Sequence, residues 1–327
     1  MAKSLRSGAI ALGFLCLTLT GVGAQAQQWP DRSIRVYVAQ GAGGGQDTIA
    51  RYLSEKVSAV LKQQVIIENR AGAGAIIGMQ AAARAPADGY NFAMTSSAGM
   101  ASNPHLVKAL PYDPLKDFTP VAMISRPGFL ISINAKSPHK TLADVISQDK
   151  ASPGSLAVVI DGPRNATGLT AAYLNKVAGI SLRLVPYTSP AQGMQDVIGG
   201  NVDLFVQAVG LQLPQIEAGR LRPLAVSSVQ REPALPNVPT VGETFPGFAL
   251  VGWLMISAPT GTPKDAIEGM NKAFDTVLKM PDTQAWMTRN GSHNMTGAGA
   301  LLELETFVKN EIELWGKAVK AIGLEPQ

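Results

Sequence analysis

Cysteine is nearly missing from this chain: its 327 residues contain one, Cys16, inside an N-terminal apolar run. Disulfides, thiol catalysis and cysteine-based metal sites are therefore excluded for everything after that run. Histidine is scarce as well. His105, His139 and His293 are far apart, and none has metal-ligand spacing to another histidine or to an acidic cluster, so all three are expected to be solvated surface residues. Charge is thin, with 16% charged residues and a formal net charge of +4, far from the basic density needed to neutralise phosphates, so nucleic acid is not an expected partner. Aromatics are 6%. Beyond the N-terminus no stretch approaches the ~20 uninterrupted apolar residues that span a bilayer.

What is present is a loop-rich α/β pattern. Lys3 and Arg6 precede an uncharged run from Gly8 to Gly23 and then Ala24-Gln25-Ala26. This is the form of a secretory signal peptide, residues 1–26, cut after Ala26. Leu15 before Cys16 disfavours a lipoprotein site, which wants a small residue there. The remaining chain keeps 26 basic and 24 acidic residues, a net +2, and is expected to be soluble in the periplasm.

Short β-rich runs then alternate with helical patterns. Ile34 to Ala39, Val65 to Glu68, Asn91 to Thr95 and Pro120 to Ile124 read as strands, and Ile49, Leu53, Val57, Val60 and Leu61 recur at helical spacing between the first two. The rhythm restarts with Phe129 to Ile133, Leu156 to Ile160, Leu182 to Pro186, Val202 to Gln207 and Pro223 to Val226. A last strand, Leu250 to Ser257, precedes two long amphipathic helices carrying Met270, Phe274, Leu304 and Trp315 as core positions. The expected architecture is two lobes, each a mostly parallel sheet flanked by helices. Lobe I comprises residues 27–125 plus 247–327, and lobe II residues 126–246.

Glycine and small polar residues collect where strands run into helices. The first strand leads into Gln40-Gly41-Ala42-Gly43-Gly44-Gly45-Gln46-Asp47, a turn whose backbone N–H groups and helix N-terminus suit an anion. Asp47 is read as a helix cap. Asn69-Arg70-Ala71-Gly72-Ala73-Gly74 and Thr95-Ser96-Ser97-Ala98 follow the next two strands. In the second lobe the equivalent turns are Asp161 to Thr167, Tyr187-Thr188-Ser189 and Gln207-Ala208. All lie at carboxyl ends of strands, where open α/β sheets bind ligands. Arg164 is the one strong cation in these second-lobe turns; it either reaches a ligand carboxylate or pairs locally with Asp161.

A dinucleotide site fails on inspection. Glu68 lies roughly where the ribose-binding acid would fall, but Gln46 replaces the last glycine of the fingerprint. No nucleophile–base set and no metal site emerge, so neither enzyme chemistry nor a cofactor is expected.

Several segments together resemble the periplasmic receptors of tripartite tricarboxylate transporters, the TctC/Bug family. They include Trp29-Pro30-Asp31-Arg32-Ser33-Ile34-Arg35, Gly43-Gly44-Gly45-Gln46-Asp47, Glu68 to Gly74, Pro86-Ala87-Asp88-Gly89-Tyr90, Leu110-Pro111-Tyr112-Asp113-Pro114, Val185-Pro186-Tyr187 and Pro236-Asn237-Val238-Pro239-Thr240. The resemblance implies a two-lobed periplasmic binding protein of type II topology, monomeric, that captures a small organic carboxylate between lobes and delivers it to a two-component membrane permease. It places the ligand at Ala39, Gly41, Gly43, Gly44, Gly45, Ser96, Ser97, Gly162, Arg164, Asn165, Thr167, Tyr187 and Gln207. Two departures from the family pattern bear on the ligand. Asp161-Gly162-Pro163-Arg164 replaces smaller residues, implying a narrower and more cationic pocket. Gln207 stands where many relatives carry Asp, which argues for a plain carboxylate over an amino acid. Other readings of the same chain are a ligand-sensing module for a signalling partner and, least favoured, a secreted Rossmann-like oxidoreductase.

Overall fold

The computed structural model describes residues 29–187, 189–290 and 297–327. The signal-peptide reading of residues 1–26, together with Thr188 and His293, lies outside these residues.

The chain runs β1 (Ile34–Val38), α1 (Gly45–Leu61), β2 (Val65–Asn69), α2 (Ile76–Ala83), β3 (Asn91–Ser96), α3 (Asn103–Leu106) and β4 (Phe118–Ser125). It then enters a second series: β5 (Phe129–Asn134), α4 (Leu142–Ala151), β6 (Ala157–Ile160), α5 (Ala166–Ala178), β7 (Arg183–Pro186), α6 (Pro190–Gly199), β8 (Leu204–Ala208), α7 (Val209–Glu217), β9 (Leu221–Val226) and α8 (Val241–Thr244). It returns through β10 (Leu254–Pro259) and finishes with α9 (Lys264–Leu278), α10 (Pro281–Arg289) and α11 (Leu301–Ala321).

Two five-stranded sheets result, ordered β2-β1-β3-β10-β4 and β7-β6-β8-β5-β9. Each is mixed. β1 pairs in parallel with β2 and β3, and β6 with β7 and β8, whereas β10 is antiparallel to β3 and β4, and β5 to β8 and β9. Four strands of each sheet thus share a direction, and the reversed strand in each is the one that enters just after the chain crosses between sheets. The crossings lie side by side: Gly128 bridges Val251, and Gly252 N–H donates to Pro127 O at 3.0 Å. This pairing takes up Val251 and Gly252, and β10 starts at Leu254, four residues later than the apolar run implies. A cluster of hydrogen bonds buttresses it, with Gly128 N–H on Glu232 and Ser227 Oγ on Leu250 O.

Strand alternation sorts the core of the first sheet. Ile34, Val36 and Val38 face α1 and α9, joining Leu53, Val57, Phe274 and Val277, while Tyr37 points to the opposite face with Met79, Trp253 and Trp315. Val60, read at helical spacing with the buried positions of α1, is instead exposed, while Leu61 beside it packs against the core. Three helices rather than two follow β10, since Pro281 starts the separate helix α10. Trp253 and Trp315 both donate their indole N–H to Glu311, at 2.9 and 3.3 Å, fastening α11 beside the crossing. Burial pushes the Glu311 carboxyl above its ordinary range. His105, expected at the surface, is half-buried: its Nε2 is 2.7 Å from Ile312 O, and a β-carbon on Gly316 would fall 2.6 Å from its ring.

The two units touch through α5. Leu169 belongs to the same buried cluster as Leu304 and Trp315 of α11, with Ala166 and Tyr173 packed beside it.

Candidate functional site

The turn between β1 and α1 is braced by side chains rather than left flexible. Gln40 Oε1 accepts the Gln46 N–H at 2.8 Å, and Gln40 O accepts from Asn69 at the end of β2. Gly43 takes the positive φ, +79°, that lets the chain double back, while Gly44 at φ −73° is the N-cap of α1. Asp47 is almost wholly buried and accepts from Gly43 N–H at 2.8 Å, Arg51 Nε at 3.0 Å and Asn69 Nδ2 at 2.9 Å. Its role is thus to hold the turn and α1 together, and the Gly43 N–H assigned to a ligand is engaged with it.

Burial alone would raise the pKa of Asp47, but its hydrogen bonds from Arg51, Gly43 and Asn69 outweigh that and hold it at about 2. A depressed folded-state pKa means this carboxylate's stabilisation is full above its ordinary 3.8 and lost as pH falls through about 2. Asp47→Asn is therefore expected to be less stable than wild type at neutral pH and to lose less stability on acidification through that window. Denaturant titrations at several pH values check this; parallel pH profiles would contradict it.

Ala39 sits where α2 comes closest, since a β-carbon on Gly78 would be 2.6 Å from Ala39 Cα. Ser96 and Ser97 close β3 and are buried; Ser97 N–H donates to Trp253 O at 3.1 Å, and Ser96 Oγ accepts the Gly99 N–H at 3.4 Å. A π-helical turn, Ala98–Ser102, follows, pinned by Tyr112 Oη on Gly99 O. Burial drives that phenol up to about 12, so it stays protonated as a donor. Asn103 reaches Gly74 O, tying the second glycine turn to the serine turn.

In the second sheet, β6 ends at Ile160 and the chain wraps tightly into α5. Asp161 N–H donates to Thr167 Oγ1 at 3.0 Å, and Asn165 N–H to Gly162 O at 3.1 Å. A β-carbon on Gly168 would sit 2.1 Å from Gly162 O, so only glycine admits this approach. Asn165 is the N-cap of α5 with no side-chain cap bond, so the first-turn amides keep their usual lack of intrahelical acceptors. Tyr187 donates its N–H to Ile160 O and its hydroxyl to Asp196 at 2.7 Å. Gln207 is the penultimate residue of β8, donating Nε2 to Asp161 Oδ1 at 2.7 Å and accepting the Ala208 N–H at 2.9 Å.

One of the two alternatives left open for Arg164 falls here. The Asp161–Arg164 ion pair does not form. Arg164 instead crosses to the first unit, where its Nη2 donates to Leu106 O at 2.9 Å and Glu325 O at 2.8 Å. The Leu106 carbonyl also takes part in a small main-chain pairing between Leu106, Lys108 and Gln327. The reach was not legible because its targets are carbonyls, which carry no residue signature. Glu68, the acid of a dinucleotide reading, is paired with Arg35 at 3.1 Å and Arg70 at 2.6 Å. Among the described residues no cluster of three metal-ligating side chains occurs, and no helix is long and apolar enough to cross a membrane.

Two helix-flanked mixed sheets joined by paired crossings, with glycine and serine turns at the strand ends, define a two-lobed solute-binding protein of the periplasmic type. The particular family follows from comparison with known proteins: residues 49–324 match the model for the tripartite tricarboxylate transporter family receptor, TctC, and the chain belongs to that family. It is 32% identical to the UPF0065 protein in the tcbD-tcbE intergenic region of Pseudomonas sp. strain P51, over 94% of this chain and 92% of that one. It is 30% identical to protein BugT of Bordetella pertussis, over 91% of each. Among solved structures, R. palustris Rpa4515 with adipate superposes with a TM-score of 0.80 at 30% identity, covering 91% of this chain and all of that one. MatC of Rhodopseudomonas palustris with bound malate gives 0.75 at 27% identity, covering 89% and all.

Proposed function

We propose that this protein is an extracytoplasmic receptor that captures a small organic carboxylate between its lobes and delivers it to the two-component membrane permease of a tripartite transporter. In this reading residues 1–26 are removed on export, and residues 27–125 plus 247–327 close on residues 126–246 as a monomer in the periplasm. The observation that carries it is the similarity over 91% of the chain to R. palustris Rpa4515, solved with adipate, together with this chain's glycine and small polar turns at the ends of β1, β3, β6 and β8. Gly41, Gly44, Gly45, Ser96, Ser97, Gly162, Asn165 and Thr167 are the residues assigned to the anion, through hydroxyls and the amides of the α1 and α5 N-termini not already bonded within their turns, as those of Gly44 and Asn165 are to Gly41 O and Gly162 O. Such a site binds and releases its solute unchanged and needs no cofactor.

A thermal-shift screen over mono-, di- and tricarboxylates tests the proposal. Ligand at a hundred times its dissociation constant stabilises the fold by ~2.7 kcal/mol, and a panel that leaves the melting temperature unmoved would reject it.

Arg164→Ala separates ligand contact from lobe contact. Because the guanidinium holds carbonyls of the first unit, its loss is expected to weaken mono- and dicarboxylates by the same factor, three- to tenfold, roughly 0.7–1.4 kcal/mol. Asp161→Ala should not copy it. A loss confined to dicarboxylates, measured by calorimetry on a matched pair, would return the guanidinium to the ligand.

A further inference from the structure

Asp161 occupies a place that the receptor reading leaves without a role. It directly follows β6, in a turn that the receptor reading assigns to the ligand, and is only half-buried. Its Oδ1 accepts from Gln207 at 2.7 Å, and its neighbours in the turn, Thr167 and Asn165, are neutral. Among the described residues no cation pairs with it, and the one candidate in its own turn, Arg164, is committed across the lobe boundary. A carboxylate so placed repels a second carboxylate, and more strongly once lobe closure removes water.

We propose that Asp161, oriented by Gln207, selects the far end of the ligand, so that the preferred solute is a monocarboxylate bearing an amino group rather than a dicarboxylate. The inference rests on the carboxylate-receptor reading and sharpens it. The ligand's carboxylate goes to the amides of the β1–α1 turn, where the α1 N-terminus is electropositive. Its ammonium goes to Asp161, supplying the counter-charge that this residue lacks within the chain. Burial already pushes the Asp161 carboxyl above its ordinary range, the sign of an acid without a cationic partner. Gln207 alone points to a plain carboxylate; the tertiary contact supplies an acid from the neighbouring strand to the same place. Selection works by repulsion as much as by attraction, since a dicarboxylate would leave two like charges facing each other.

Calorimetry with two pairs of equal chain length tests the proposal: 4-aminobutyrate against succinate, and 6-aminohexanoate against adipate. Wild-type protein is expected to bind the amino acid of at least one pair more than tenfold tighter than its dicarboxylate. Asp161→Asn, nearly identical in shape, should bring that ratio to within threefold by weakening the amino acid and strengthening the diacid, with the unliganded melting temperature little changed. Gln207→Met, which removes the group that orients Asp161, should shrink the ratio in the same direction and serves if Asp161→Asn does not fold. A wild-type preference for the dicarboxylates, or a ratio untouched by either variant, overturns the inference while leaving the receptor intact. Binding of other organic acids but none of these four also overturns it. If no carboxylate at all binds wild type, the receptor reading itself falls.

Discussion

Gly168→Val is expected to abolish carboxylate binding and to destabilise the protein by about 3 kcal/mol, the upper range for forcing atoms into a packed site. The added β-carbon would lie 2.1 Å from Gly162 O and 2.9 Å from Pro163 Cα. Both are backbone atoms, so no rotamer change relieves the overlap. Either α5 lifts off the turn or the turn opens, and in each case the Asp161–Thr167 and Gly162–Asn165 bonds that shape this part of the proposed site are lost. Gly199→Ala is the matched control. Its β-carbon meets only Asn201 Nδ2 at 3.6 Å, ordinary contact, so its melting curve and its calorimetric titration should resemble wild type. Wild-type affinity in the Gly168 variant would show that the turn after β6 does not touch ligand.

Gly44→Val should lower carboxylate affinity at least tenfold, ~1.4 kcal/mol, and leave the protein folded. The cause is not backbone strain, since Gly44 has φ −73°, an angle valine adopts freely. The first atom a β-carbon meets there is Gln40 Oε1, at 2.4 Å, the acceptor that holds the Gln46 N–H. The glutamine side chain is flexible and can withdraw, so the fold survives. The turn loses its brace, and a branched side chain stands over the amides meant for the anion. Gly43→Ala distinguishes the two ways a glycine can matter here: its β-carbon meets nothing within 4 Å, but its φ of +79° costs an alanine about 1 kcal/mol. Stability should fall modestly at position 43 and affinity sharply at position 44. Unchanged affinity in the valine variant would move the site away from this turn.

The local pattern of the chain determined its ten strands, most of its helices and the family to which it belongs. Alternation in Ile34, Val36 and Val38, helical spacing in Leu53 and Val57, and Gly200 at the left-handed C-cap of α6 are short-range signals that depend on residues a few positions apart. Glycine and serine at strand ends marked the candidate turns for the same reason. What decided the character of the site lay beyond that range. Arg164 bonds carbonyls 58 and 161 residues away, and Asp161 meets Gln207 across 46 residues. Periodicity is indifferent to which strand lies beside which, so β6 next to β8, and hence an acid beside Gln207, was settled only by the sheet order β7-β6-β8-β5-β9. The start of β10 was decided in the same way: residues 250–253 are apolar enough for a strand, but Val251 and Gly252 pair with the opposite crossing at Gly128 and Pro127. Main-chain hydrogen bonding carries no side-chain code, and it was the folded chain that assigned those partners.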